Sequence, residues 1–179
     1  MRNYLRNAVF AAALAVAALP AVAATGSASD LSSLERQVRH EIVMLPFLSV
    51  FDDLQFQVNG STVVLSGQVA RPSLKASAER AVAGIEGVSG VENRIEVLPT
   101  SFHDDRLRLA VLRSVYGNSV LNRYALNPNP SIRIIVKNGD VTLEGVVARE
   151  MEKNVAYIQA NGVAGVFSVT NNLRVENAG

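Results

Sequence analysis

The chain has no cysteine and no tryptophan, and only two histidines among its 179 residues. Lack of cysteine excludes a disulfide framework, a thiol nucleophile, a thiolate metal site and a thioether-linked lipid anchor. His40 and His103 stand far apart in the sequence, with no third ligand in view, so a histidine-based metal centre has no support. Neither sign of charge dominates: 17 basic and 16 acidic residues leave a formal net charge of +1, which argues against nucleic acid as partner. Long apolar runs are also scarce. The most extended, from Ala8 to Leu19, is well short of the roughly 20 residues that a membrane-spanning helix needs.

That run follows Arg2 and Arg6, breaks at Pro20 and leads into Ala21-Val22-Ala23, the order of a secretory signal peptide over residues 1–24. Export to the periplasm as a soluble protein is expected, with a small, polar, disordered leader at 25–30. Losing Arg2 and Arg6 brings the formal charge to about −1.

What fills the remainder is a repeat. Val63-Val64-Leu65-Ser66-Gly67 returns as Val141-Thr142-Leu143-Glu144-Gly145, and a shift of 78 residues pairs 14 identical residues over Val63–Val97 and Val141–Val175; chance would give roughly 2. The pairs include Gly67 with Gly145, Lys75 with Lys153, Gly87 with Gly165 and Asn93 with Asn171. Two copies of this length predict two small tandem domains, at 31–99 and 100–179.

Each copy carries the same periodicities. Leu34, Val38 and Ile42, and in the second copy Leu107, Val111 and Val115, recur every four residues as on one face of a helix. Asp30, Ser32 or Ser33 is expected to cap the first of these helices, and Asp104 or Asp105 the second. Alternating strands follow at Leu54–Val58 and Val63–Val69, and at Ile132–Val136 and Val141–Val147. Asn59-Gly60 and Asn138-Gly139 mark the turns. The first hairpin is expected to hold one extra residue, across Asn59-Gly60-Ser61-Thr62, and Asn127-Pro128-Asn129-Pro130 to be an insertion before the first strand of the second copy. A second helix and a third strand complete each unit. The predicted fold class is α+β, with two tandem αββαβ domains, each a three-stranded mixed sheet with two helices on one face.

A helix, an Asn-Gly turn, Val-x-Leu-x-Gly-x-Val, a second helix and Gly-x-x-Gly-Val-x-x-Val-x-Asn together resemble the BON domain, here twice. Behind a signal peptide, this arrangement is similar to the periplasmic dual-BON proteins of the osmotically inducible OsmY family. The resemblance implies an envelope protein that binds phospholipid membrane surfaces and acts in envelope integrity or osmotic stress. It supplies no catalytic residues and no cofactor. Other envelope proteins are possible partners, and the alternative function is a periplasmic stress chaperone or protein scaffold working through a sheet edge or face.

Most chemical-looking clusters have plainer readings. His103-Asp104-Asp105 and Asp52-Asp53 read as a helix start and a solvated turn, so no catalytic and no metal residues are assigned. The glycines at 84, 87, 162 and 165 follow helices instead of opening them, unlike phosphate loops. Asn93 and Asn171, in the inward register of apolar strands, are expected to bond nearby backbone. One feature rises above these. Arg106, Arg108, Arg113, Arg123, Arg133 and Lys137 occur in a stretch without Asp or Glu. At 100° per residue, Arg106, Leu109, Arg113 and Tyr116 fall opposite the buried stripe of their helix. These four are the candidate lipid contacts, arginines for phosphates and Leu109 and Tyr116 for the headgroup boundary. The competing expectation is that Leu109 and Tyr116 are buried by docking on the first copy. The equivalent face of the first copy, with Arg36, His40 and Val43, is less basic, which places any lipid role in the second.

Overall fold

The computed structural model describes residues 28–127 and 129–176. The first copy runs α1 (Ala28–Val43), β1 (Asp53–Asn59), β2 (Thr62–Val69), α2 (Pro72–Ala83), β3 (Gly90–Asn93) and β4 (Glu96–Val97). The second runs α3 (Phe102–Gly117), a short 3-10 turn at Asn122–Leu126, β5 (Ile132–Lys137), β6 (Asp140–Val147), α4 (Glu150–Asn161), β7 (Ser168–Asn171) and β8 (Arg174–Val175). The expected signal peptide lies outside the described residues. Of the expected leader, residues 28–30 are helical, because α1 begins ahead of all three expected caps.

In each copy the hairpin is antiparallel and the central strand pairs in parallel with the last segment. The single third strand expected from the sequence is split in two. After Asn93 and after Asn171 the chain steps out and resumes as β4 or β8, still beside β2 or β6. The asparagines cause the break. Asn93 Oδ1 accepts from Ile95 N at 3.2 Å and its Nδ2 donates to Lys75 O on α2 at 3.0 Å. Asn171 does the same with Leu173 N at 3.2 Å and Lys153 O at 2.8 Å. A side chain that satisfies the amide two residues on competes with the ladder. Here it also ties strand to helix and drops Ile95 or Leu173 into the core.

Gly67 and Gly145, the repeated glycines, take φ of 104° and 118°, and a Cβ on them would stand 2.2 Å from Asp53 O and 1.8 Å from Ser131 O. Only glycine lets the neighbouring strand approach so closely. Both hairpin turns have two central residues, with Asn59 opposite Thr62 and Lys137 opposite Asp140. The extra residue expected in the first is therefore not there; Asn-Gly merely sits one place earlier, so that Gly60 (φ 64°) occupies the position of Asn138 (φ 54°).

Two cores result, each formed by one face of its sheet under two helices. Val38, Ile42, Val63, Leu65, Leu74, Ala78 and Val82 anchor the first; Leu107, Val111, Val115, Ile134, Val141, Leu143 and Ala156 anchor the second. The copies also dock. Ile134 N donates to Val50 O at 2.8 Å, Arg133 Nη1 to Ser49 O at 3.0 Å, and Lys137 pairs with Glu96 at 2.6 Å. Val50 and Phe51 pack against the second core. Ile135 points away from the helices by strand alternation, yet it is only 2 % exposed, as expected where the first copy covers that face.

Candidate functional site

Helix α3 is held by three devices. Ser101 is its N-cap, its Oγ accepting from Asp104 N at 3.2 Å, in place of the expected Asp104 or Asp105. Asp104 is fully buried, and its carboxylate accepts from Asn138 N and Gly139 N, both at 2.9 Å, so it fastens the helix start to the β5–β6 turn. Arg108 is buried too, bonded to Asp105 and to Val136 O at 2.8 Å. An acidic side chain at a helix N-terminus is favoured by the dipole; here it also joins two elements.

With the helix fixed, its outer stripe can be read. Phe102, Arg106, Leu109 and Arg113 follow at intervals of four, three and four and so share one face. Arg106 and Arg113 are exposed; Phe102 is 89 % and Leu109 45 % exposed. Tyr116 does not belong with them. It is 9 % exposed and packs within the second core, where its hydroxyl donates to Ile132 O at 2.5 Å. Burial pushes its phenol up to about 12, against the opposing pull of Arg133 and of that hydrogen bond. The segment after α3 folds back over the helix end and covers what rotation alone would expose. Tyr116 is buried in the second core, against which Val50 and Phe51 of the first copy also pack, so it does not share the exposed face of the other three candidates. Phe102 is the residue that the sequence reading missed. A start at Ser101 would have revealed it, since it stands one turn ahead of Arg106 on the same face.

The acid-free basic stretch divides sharply. Arg108 is internal. Arg123 pairs with Glu152 at 2.6 Å and donates to the Tyr124 hydroxyl at 2.8 Å. Glu152 also accepts from Tyr124 at 2.7 Å and from Arg149 N at 3.1 Å. Burial works to raise the Glu152 pKa, but the Tyr124 hydroxyl, Arg123 and the backbone donors outweigh it and hold it below the usual carboxylate value. Arg133 and Lys137 serve the docking of the copies. Burial lowers the Arg133 pKa, with Tyr116, Asp53 and Asp52 acting in the other direction. Only Arg106 and Arg113 remain, and among the described residues neither makes an ion pair.

Leu109 also lies beside a cleft of about 330 Å³ between the copies, lined by Ser49, Phe51, Arg71, Thr100 and Arg108 among others. The histidines are not brought together: His103 lies 6.4 Å from the Phe167 ring, and His40 lines the groove between α1 and α2. Among the described residues no group of three or more acidic or histidine side chains could hold a metal ion, and no helix is long and apolar enough to cross a membrane.

A family model, the BON domain, matches residues 30–99 and 118–177. No curated protein matches the chain. Among solved structures, the C-terminal domain of CdsD, described as the structural protein of the type III secretion system of Chlamydia trachomatis, is 13% identical. That alignment covers 80% of this chain and 98% of that one, with a TM-score of 0.29. A second structure of CdsD is 15% identical over 81% of this chain and 94% of its own, also at 0.29.

Proposed function

Because this chain belongs to the BON domain family and carries two copies in tandem, we propose that it is an exported, non-enzymatic envelope protein that attaches peripherally to anionic phospholipid surfaces. The observation that carries the reading is the outer stripe of α3, where Arg106 and Arg113, without an ion pair among the described residues, alternate with the exposed Phe102 and Leu109. Guanidinium groups bind phosphate oxygens through paired donors. An aromatic ring and an aliphatic side chain on the same face enter the boundary between headgroups and acyl chains. Near a charged leaflet the two arginines contribute roughly 2 kcal/mol. Attachment of that strength is weak, reversible and sensitive to salt, since the screening length falls from about 30 Å at 0.01 M to about 8 Å at 0.15 M. A periplasmic location and a role in envelope maintenance or osmotic stress accord with the family and with the signal-like N-terminus.

Vesicles of phosphatidylglycerol sedimented at low salt test this directly. Wild type should pellet with them, and Arg106→Glu combined with Arg113→Glu should remain in the supernatant. Equal sedimentation of the two would reject the reading. A second reading, a protein scaffold or stress chaperone, has one observation in its favour. Among the described residues strand β1 pairs only with β2, and it borders a trough of about 800 Å³ between the copies, with Glu144 and Arg174 opposite. Suppressed aggregation of an unfolded client, without vesicle binding, would favour it.

A further inference from the structure

Phe47 sits where a phenylalanine should not. Leu48 N bonds Leu45 O at 3.3 Å, so Leu45-Pro46-Phe47-Leu48 is a β-turn with proline in its first central position. Phe47, in the second, has φ of 69°. A turn of that kind takes glycine or asparagine there, because a Cβ is strained in the left-handed region. The two flanking leucines point inward, Leu45 into the first core and Leu48 against it. Phe47 does the opposite, with 72 % of it exposed. It therefore gives the core nothing and strains the turn. Backbone strain that the packing does not use points to a task at the surface.

Its surroundings indicate which task. The Arg71 guanidinium lies over the Phe47 ring, 5.5 Å from the centroid, close enough for a cation–π contact that fixes both side chains. Arg71 and Leu109 line the same cleft between the copies. Arg71 thus links Phe47 to the cleft that Leu109, from the outer stripe of α3, also lines. Only a few residues beyond Phe47, Val50 bonds β5 and Phe51 packs on the second core. The two projections are therefore held in fixed relation. The exposed cations along this path are Arg71, Arg106 and Arg113, whereas Asp105, the acidic side chain lining the cleft, is already bonded to Arg108.

We propose that the first copy shares in the lipid contact: Phe47, braced by Arg71, is a second prong of the same surface, inserting into an anionic phospholipid leaflet beside Phe102 and Leu109. This rests on the lipid-binding reading of α3 and extends it across the domain boundary, so the expectation that only the second copy touches lipid no longer applies. Attachment through both copies fixes the tilt of the molecule on the membrane and makes binding depend on their docking.

The chain has no tryptophan, so Phe47→Trp and Phe102→Trp each install a single reporter. On addition of phosphatidylglycerol vesicles, both should shift emission to the blue and be quenched by lipids brominated along the acyl chain. Phe47→Gly relieves the strain, so its Tm should equal or exceed that of wild type while vesicle affinity falls about tenfold, the loss expected for one partly inserted ring. If the Phe102→Trp variant responds and the Phe47→Trp variant does not, or if Phe47→Gly binds as wild type does, the proposal fails and the α3 reading stands. If neither reporter responds and wild type stays in the supernatant, both fail, and a protein partner is the better account of this surface.

Discussion

The duplicated asparagines allow one perturbation to be made twice in one molecule. In each copy the side chain accepts from the amide two residues on and donates to a carbonyl of the helix 18 residues earlier. Asn→Ala removes both bonds, each worth roughly 1 kcal/mol net, and leaves partly buried partners unsatisfied; at 93 it also removes an exposed bond from Nδ2 to Glu79 Oε2 at 2.9 Å, which adds little. The expected cost is about 2 kcal/mol at either site. In a domain of this size that corresponds to roughly 10 °C in Tm. Asn→Asp separates the two bonds, since it keeps the oxygen that accepts from Ile95 N or Leu173 N but replaces the donor with a second oxygen facing Lys75 O or Lys153 O. It should cost at least as much as alanine at neutral pH. Urea titration of Asn93→Ala, Asn93→Asp and the matching changes at 171 measures this. Faster amide exchange at Ile95 and Leu173 should accompany the loss. If aspartate is silent, the tie to the helix contributes nothing. If alanine costs under about 0.5 kcal/mol at both sites, the account of the strand break is wrong.

Two further outcomes follow from buried groups. Tyr116 has a folded-state pKa of about 12, above the unfolded value of about 10, so its share of stability is intact below pH 10 and is lost as pH climbs toward 12. Tyr116→Phe should cost about 1 kcal/mol at pH 7 through the bond to Ile132 O and flatten the alkaline slope; an unchanged slope in denaturant titrations from pH 9 to 12 would contradict it. Gly145→Ala drives a Cβ against Ser131 O and strains a φ of 118°, so it should destabilise the second copy by about 3 kcal/mol or more. A calorimetric Tm within about 2 °C of wild type would refute that.

The sequence revealed the element order, the duplication and the inward register of the asparagines, because periodicity and repetition are local properties. It also singled out Gly67 and Gly145 as repeated, although the reason, a carbonyl pressed against the missing Cβ, belongs to the neighbouring strand. Helical rotation correctly placed Arg106, Leu109 and Arg113 outward. It failed at Tyr116, because nothing periodic announces that Leu121, Tyr124 and Ile132 join it in the core. Composition could not divide the six cations, since the partners of four of them are set by the fold: Asp105 and Val136 for Arg108, Glu152 for Arg123, Ser49 for Arg133 and Glu96 for Lys137. Phe102 was lost to a cap assigned three residues late. Phe47 was invisible for a different reason: only the backbone angle shows that it occupies a glycine's place.

The interrupted third strands bear on how such a protein survives crowding. An outer border made of four residues, a step and two more presents no continuous row of donors and acceptors along which another chain could zip. A continuous strand along that border would be an invitation to fibrils. The asparagine that ends each ladder therefore also keeps neighbouring molecules from becoming its next rung.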